Sequence, residues 1–224
     1  MEIFVDSANL EEIEEALKRG FAAGITTNPS IISKEKRTDF GLLIKEIIEL
    51  LGRYKYEIPL SVEVFSLEPK EMIHQALEFA ERFGHYPGLN IKVPIGWNEL
   101  VVIRDLKKHG MRVNCTCCMS LNQAIMAAGA GADFVSLFYN RIRDIGSDAF
   151  SVVQRIHQVF REARIPTKII VGSIRHIQDI NEAFLAGADI VTVPPKFFPQ
   201  MVSHPKTDEA VNQFIADFRN WQER

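Results

Sequence analysis

At 224 residues, with 46% hydrophobic and 25% charged positions and a formal net charge of −3, the chain has the make-up of an ordinary globular protein, long enough for one large α/β domain. This balance gives no electrostatic footprint for nucleic acid or an anionic membrane, and there is neither an apolar run of about 18 residues nor a secretory leader pattern, so a cytoplasmic location is expected. Its three cysteines, Cys115, Cys117 and Cys118, crowd into four positions with no second Cys/His cluster at a zinc spacing, and read as small packed hydrophobes.

Strand and helix patterns alternate from the start. Glu2 to Asp6 reads as a strand and leads into an amphipathic helix with Leu10, Ile13, Ala16 and Leu17, closing near Gly20. Ala23 to Thr27 is a strand running into Asn28-Pro29-Ser30, Phe40 to Leu51 a helix, Leu60 to Phe65 a strand, and Lys70 to Phe83 a helix. The fourth strand is Leu89 to Pro94, where Lys92 interrupts an apolar, β-branched run and Pro94, which cannot donate to a ladder, marks the end. A helix over Leu100 to His109 and a strand over Arg112 to Cys118 follow. Ser120 and Gln123 then form a capping box for a helix to Ala130. Strands over Phe134 to Tyr139, Lys168 to Gly172 and Ile190 to Val193 alternate with helices over Phe150 to Ala163 and His176 to Ala186; a last amphipathic helix covers Thr207 to Trp221.

The segment Ala130-Gly131-Ala132-Asp133 recurs 56 positions later as Ala186-Gly187-Ala188-Asp189, close to the span of two strand-helix units. No linker or composition shift divides residues 1–224, and no Gly-x-Gly-x-x-Gly follows the first strand. Eight strand-helix units therefore predict a single (β/α)8 TIM barrel with an extra C-terminal helix rather than a dinucleotide-binding sheet.

In such a barrel chemistry sits where the strands end, and alternation decides which side chains face the interior. Ile91 and Val93 must pack on helices, so Lys92 faces inward with Asn90. The same rule pairs Asp6 with Phe4, Thr26 with Asn28, Asn114 with Thr116 and Ser136 with Phe138, and leaves Cys115 and Cys117 for the helix layer. Glu63, between Val62 and Val64, joins the inward set at one rim. Each of these has a bland alternative. Lys92 could snorkel or pair with Glu63, Asp6 could cap the next helix, and Asn28 could make a turn. Two carboxylates, a lysine and several amides and hydroxyls buried together are costly without a purpose, and desolvation favours the neutral, nucleophilic amine that attacks carbonyls. Arg141, Ser173 and Arg175, just past two strand ends, suggest an anion clamp for a sugar phosphate.

Taken together, Phe4-Val5-Asp6-Ser7-Ala8-Asn9, Gly24-Ile25-Thr26-Thr27-Asn28-Pro29-Ser30, Ser61-Val62-Glu63-Val64, Ile91-Lys92-Val93-Pro94, Asn114-Cys115-Thr116 and Gly172-Ser173-Ile174-Arg175 resemble the transaldolase family, and its short-chain branch that also holds fructose-6-phosphate aldolase. The likeness extends through His204-Pro205-Lys206-Thr207-Asp208. It implies a metal-independent, cofactor-free class I mechanism and a homo-oligomer, a pentamer or decamer, whose terminal helix packs on a neighbour. By motif match, Lys92 would form the Schiff base, Asp6 would take the C4 hydroxyl proton, and Glu63 and Thr116 would hold a proton-moving water. Asn28, Asn114 and Ser136, with Thr26 beside them, would bind the dihydroxyacetone part, and Arg141, Ser173 and Arg175 the terminal phosphate.

Within that branch the aldolases carry glutamine where this chain has Glu63 and tyrosine where it has Phe138, so both positions side with transfer to an aldose phosphate over release of free dihydroxyacetone. The chain departs from the family pattern at Ile95-Gly96-Trp97-Asn98-Glu99-Leu100, at Cys117-Cys118-Met119, at Tyr139-Asn140 and at Arg143, where an acidic residue is common. Three further readings remain open: a 6-deoxy-6-sulfofructose donor, an aldolase, and a barrel that binds sugar phosphate without catalysis.

Overall fold

A computed structural model describes residues 1–36 and 39–223. Its strands are β1 (Glu2–Asp6), β2 (Ala22–Thr26), β3 (Leu60–Glu63), β4 (Leu89–Pro94), β5 (Arg112–Cys118), β6 (Phe134–Phe138), β7 (Lys168–Gly172) and β8 (Ile190–Val193). They pair in parallel in chain order, and β8 returns to β1, closing the barrel. Around them lie α1 (Leu10–Lys18), α2 (Pro29–Ile32), α3 (Phe40–Arg53), α4 (Pro69–Phe83), α5 (Glu99–Lys108), α6 (Leu121–Gly129), α7 (Tyr139–Asp144), α8 (Ala149–Glu162), α9 (Ile177–Leu185), α10 (Phe198–Val202) and α11 (Pro205–Gln222). The fold is the α/β TIM barrel that the alternation predicts. No helix among the described residues is long and apolar enough to cross a membrane.

Alternation splits the strand side chains into two sets. Val5, Ile25, Val62, Ile91, Val93, Val113 and Val135 face the helices and form the large shell core with Ile13, Leu43, Ile47 and Ile103. Phe4, Phe134, Ile170 and Ile190 form a separate small cluster inside the barrel. Each lies two positions before Asp6, Ser136, Gly172 or Thr192 on its own strand, so an apolar plug sits one layer beneath a polar layer.

The repeated Ala-Gly-Ala-Asp segment has a common physical basis. Gly131 and Gly187 take φ of +102° and +97° just after a helix, a region a side chain resists. The following aspartates each accept a backbone N–H from the neighbouring strand: Asp133 from Val113 at 2.7 Å and Asp189 from Ile169 at 2.9 Å. Each also pairs with a base on a helix, Lys107 for Asp133 and Arg161 for Asp189.

Of the capping box expected for α6 one half forms, Ser120 accepting from Gln123 N, while the Gln123 side chain reaches one residue further back and accepts from Met119 N instead of Ser120 N. The third strand stops at Glu63 instead of Phe65, whose ring turns out to meet Phe40 edge-on at 4.7 Å. The strand read as ending at Tyr139 stops at Phe138, and Tyr139 opens α7. Helices α2, α7 and α10 span four to six residues, too short to show a helical period in sequence. Helix α11 starts at Pro205, slightly before the expected Thr207, and exposes Val211, Phe214, Ile215, Phe218 and Trp221.

Gly24 matters for the plug. A β-carbon there would lie 2.4 Å from the Phe4 ring, so Gly24→Ala is expected to lower unfolding free energy by about 1–3 kcal/mol in urea titrations, with part of the loss recovered by adding Phe4→Leu.

Candidate active site

The polar layer is assembled by strand register. Glu63 pairs with Lys92 across β3 and β4, Lys92 with Asn114 across β4 and β5, and Asp6 with Thr26 across β1 and β2. Lys92 is only 4% exposed, yet its amine is well met: Nζ lies 2.9 Å from Glu63 Oε2 and donates to the Thr27 carbonyl at 2.8 Å. Of the alternatives weighed for Lys92, pairing with Glu63 is the one the structure shows. Ile91 and Val93 face the helix core, while the amine itself sits against a carboxylate.

Asp6 does not cap α1. Asn9 does, accepting from Glu11 N and Glu12 N, and this leaves Asp6 at the barrel mouth. Burial pushes the Asp6 carboxyl above the usual carboxylate range, although the Thr26 hydroxyl, donating at 2.8 Å, and the Lys92 charge pull the other way. Thr26 is itself held by Thr192, their oxygens 2.5 Å apart. Asn114 Nδ2 donates to Ser61 Oγ at 3.2 Å, and its Oδ1 accepts from Ser136 Oγ at 2.7 Å. Thr116 Oγ1 and Asn90 Oδ1 are buried without a partner among the described residues. Asn28 caps α2 by accepting from Ile31 N at 2.9 Å, so its bland turn-forming role is real and uses its oxygen, not its amide nitrogen.

Ser61 and Thr192 were missed by the sequence reading, although alternation from Glu63 and Ile190 marks both. Cys117 requires a correction. The β5–β6 register shifts between Cys115 and Cys118, and Cys117 takes φ of +60°. The shift leaves Cys115 and Cys118 in the helix-side core, their sulfurs 4.0 Å apart, and takes Cys117 out of that layer. The Cys117 thiol is only partly buried; it feels both Glu63 and Lys92, and burial with the Glu63 charge raises its pKa, against the Lys92 charge.

Arg141 is exposed, with its guanidinium 5.8 Å from the Phe138 ring centre. Arg175 is not a free clamp arm: its fork binds Asp144 at 2.6 and 2.7 Å. That hydrogen-bonded fork, together with Arg141 nearby, holds the Asp144 carboxyl below its ordinary range. Asp144 is thus bound by Arg175 and feels the charge of Arg141. Ser173 takes φ of +60°, strained for a non-glycine, and its carbonyl accepts from Asn140 Nδ2 at 2.8 Å. No cluster of three or more His, Cys, Asp or Glu side chains among the described residues is arranged to hold a metal ion.

An ion-paired lysine inside a parallel barrel, ringed by acids and amides at the strand ends, is a constellation suited to aldol-type chemistry on a carbonyl compound. The comparisons narrow this to one family: a family model described as Transaldolase/Fructose-6-phosphate aldolase matches residues 3–223, and the chain belongs to that family. It is 40% identical over 223 residues to a probable transaldolase of Roseiflexus sp. (strain RS-1), covering 100% of this chain and 99% of the relative. It is also 42% identical over 218 residues to probable transaldolase 1 of Listeria monocytogenes serotype 4b (strain F2365), covering 97% and 98%. A thiamine phosphate pyrophosphorylase from Pyrococcus furiosus shares the fold, with a TM-score of 0.56 at 15% identity over 86% of this chain and 85% of that one.

A carboxyl whose pKa is raised by burial binds its proton more tightly folded than unfolded, so it contributes stability below its unfolded pKa and loses it as pH rises through the folded value. Asp6→Asn is therefore expected to raise Tm at pH 7 over the parent and to show a smaller advantage as pH falls toward the ordinary aspartate range, measured by thermal scans across pH.

Proposed function

We propose that the chain is a transaldolase that moves a dihydroxyacetone unit from fructose 6-phosphate, or a close analogue with a terminal anion, to an aldose phosphate through a Schiff base on Lys92. The observation that carries this reading is the Lys92–Glu63 pair at 2.9 Å inside the barrel, with Asn114 beside it in register. The proton leaves the ammonium toward Glu63, and the free amine adds to the C2 carbonyl of the ketose. Protonation of the resulting carbinolamine hydroxyl expels water and leaves an iminium. The unpartnered Thr116 hydroxyl and Glu63 suit a water that carries these protons. Asp6, with its raised pKa, is suited to take the C4 hydroxyl proton as the C3–C4 bond breaks. The electron pair of that bond flows into the iminium and gives an enamine, while C4 to C6 depart as an aldehyde carrying the terminal anion.

Asn114, Ser136 and Asn28 offer hydrogen bonds to the dihydroxyacetone hydroxyls, and Thr26 orients Asp6. Phe138 brings no acid to protonate the enamine, so the enamine waits for an aldehyde; addition of that aldehyde and hydrolysis of the iminium return the lysine. Arg141 and Ser173 receive the donor's charged end, and Arg175 joins them only by giving up part of its fork on Asp144. The terminal helix α11, with its apolar residues uncovered, is assigned to packing on a neighbouring copy.

Borohydride with fructose 6-phosphate is expected to add the mass of the reduced donor to Lys92, and Lys92→Met to abolish the adduct. Turnover should need an acceptor aldehyde; fast dihydroxyacetone release without one would make the protein an aldolase. A mass gain on another lysine, or none, would falsify the Schiff-base reading. For assembly, sedimentation velocity is expected to show an oligomer that Phe214→Glu with Phe218→Glu dissociates; a monomeric parent would remove that role for α11.

A further inference from the structure

One fully buried acid belongs to none of the steps above. Asp179 sits in the first turn of α9 and joins two segments through a single carboxylate. From the loop after β7 it accepts the backbone N–H of Arg175 at 2.9 Å and of His176 at 2.8 Å. From α7 it accepts Asn140 Nδ2 and Arg143 Nη1, each at 2.6 Å. Asn140 also donates to the Ser173 carbonyl, and Arg143 continues to Glu182, which accepts from the Tyr139 hydroxyl as well. Burial pushes the Asp179 carboxyl up, but the Asn140 amide, the two backbone N–H groups and the Arg143 charge outweigh it and hold the group ionised.

The two segments joined in this way are the ones that carry the arginines of the anion clamp. Arg141 follows Asn140 on α7, and Ser173 and Arg175 lie on the loop whose N–H groups Asp179 holds. We infer that Asp179 is a positioning residue that sets the spacing between Arg141 and the Ser173–Arg175 loop, and so determines how tightly the charged end of the donor is held. The inference rests on the proposed donor site. It adds that the backbone of the loop leading into α9 is held by the chain's own carboxylate, through the N–H groups of Arg175 and His176. The strained φ of Ser173 fits a loop held by outside partners instead of its own preference.

The experiment compares two donors, fructose 6-phosphate and unphosphorylated fructose, in the parent and in Asp179→Asn. The variant keeps the shape but turns an N–H toward Arg143. A raised KM for fructose 6-phosphate of about tenfold, with kcat changed by less than about twofold and borohydride trapping of fructose at Lys92 unchanged, is the expected result. An unchanged KM, or a parallel fall in fructose trapping, overturns the assignment. If Asp179→Asn does not fold, Arg143→Gln decides: its guanidinium is partly exposed, and a KM raised by about threefold or more supports the role while an unchanged KM removes it. Trapping in the parent reads the lysine chemistry separately, so a missing parent adduct sinks the Schiff-base reading and a normal parent adduct with an indifferent variant sinks only this one.

Discussion

The pairing of Lys92 with Glu63 is the interaction on which the rest of the barrel interior depends. Both side chains are largely removed from water, and removing one member of such a pair leaves an uncompensated charge that typically costs about 3–5 kcal/mol. Equal-volume apolar residues would pack the same space at no such penalty, so the pair is a poor device for stability alone. The surroundings fit this. Asn114, Ser61 and Ser136 bond to one another and present a polar wall, while the plug of Phe4, Phe134, Ile170 and Ile190 closes the floor one layer below. The polar groups cannot sink further, and the helices exclude them from the sides.

Much of this was legible because it follows from period two. Once β4 was read as inward at Lys92 and Asn90, the neighbouring strands could be phased by their β-branched residues, and Asp6, Thr26, Asn114, Thr116 and Ser136 fell on the interior together. What alternation could not read was a break in alternation. The register shift near Cys117 reverses the expected sides: Cys118 joins Cys115 against the helices, and Cys117 leaves that layer. A bulge has no periodic signature, and cysteines at 115, 117 and 118 give no volume contrast to reveal it. Ser61 and Thr192 were readable by the same rule and were passed over.

At the outer rim, sequence gives residue types but not pairings. Arg175 looked like a free arm of an anion clamp, yet its fork is already bound to Asp144, an acid from a different strand-helix unit. Asp179 gave no signal beyond being an acid in the first turn of a helix, where a capping role is ordinary. Its four bonds to α7 and the β7–α9 loop depend on two segments meeting in space. Arg143, noted as unusual against the family pattern, finds its reason there: a basic residue at that position answers the acids Asp179 and Glu182.

Closure of β8 onto β1 joins the two ends of the strand series, with Glu2 beside Ile190 and Val5 beside Val193. Until that last strand is available, β1 and β7 each keep a bare edge, and Phe4 lacks Ile190 as its companion. A ribosome adding about 5–20 residues each second would hold the growing chain in this open form for roughly ten seconds or more. Pairings so distant along the chain also form slowly once available. The growing polypeptide must therefore carry two unpaired sheet borders through most of its synthesis, the interval in which sticking to another copy is the chief hazard.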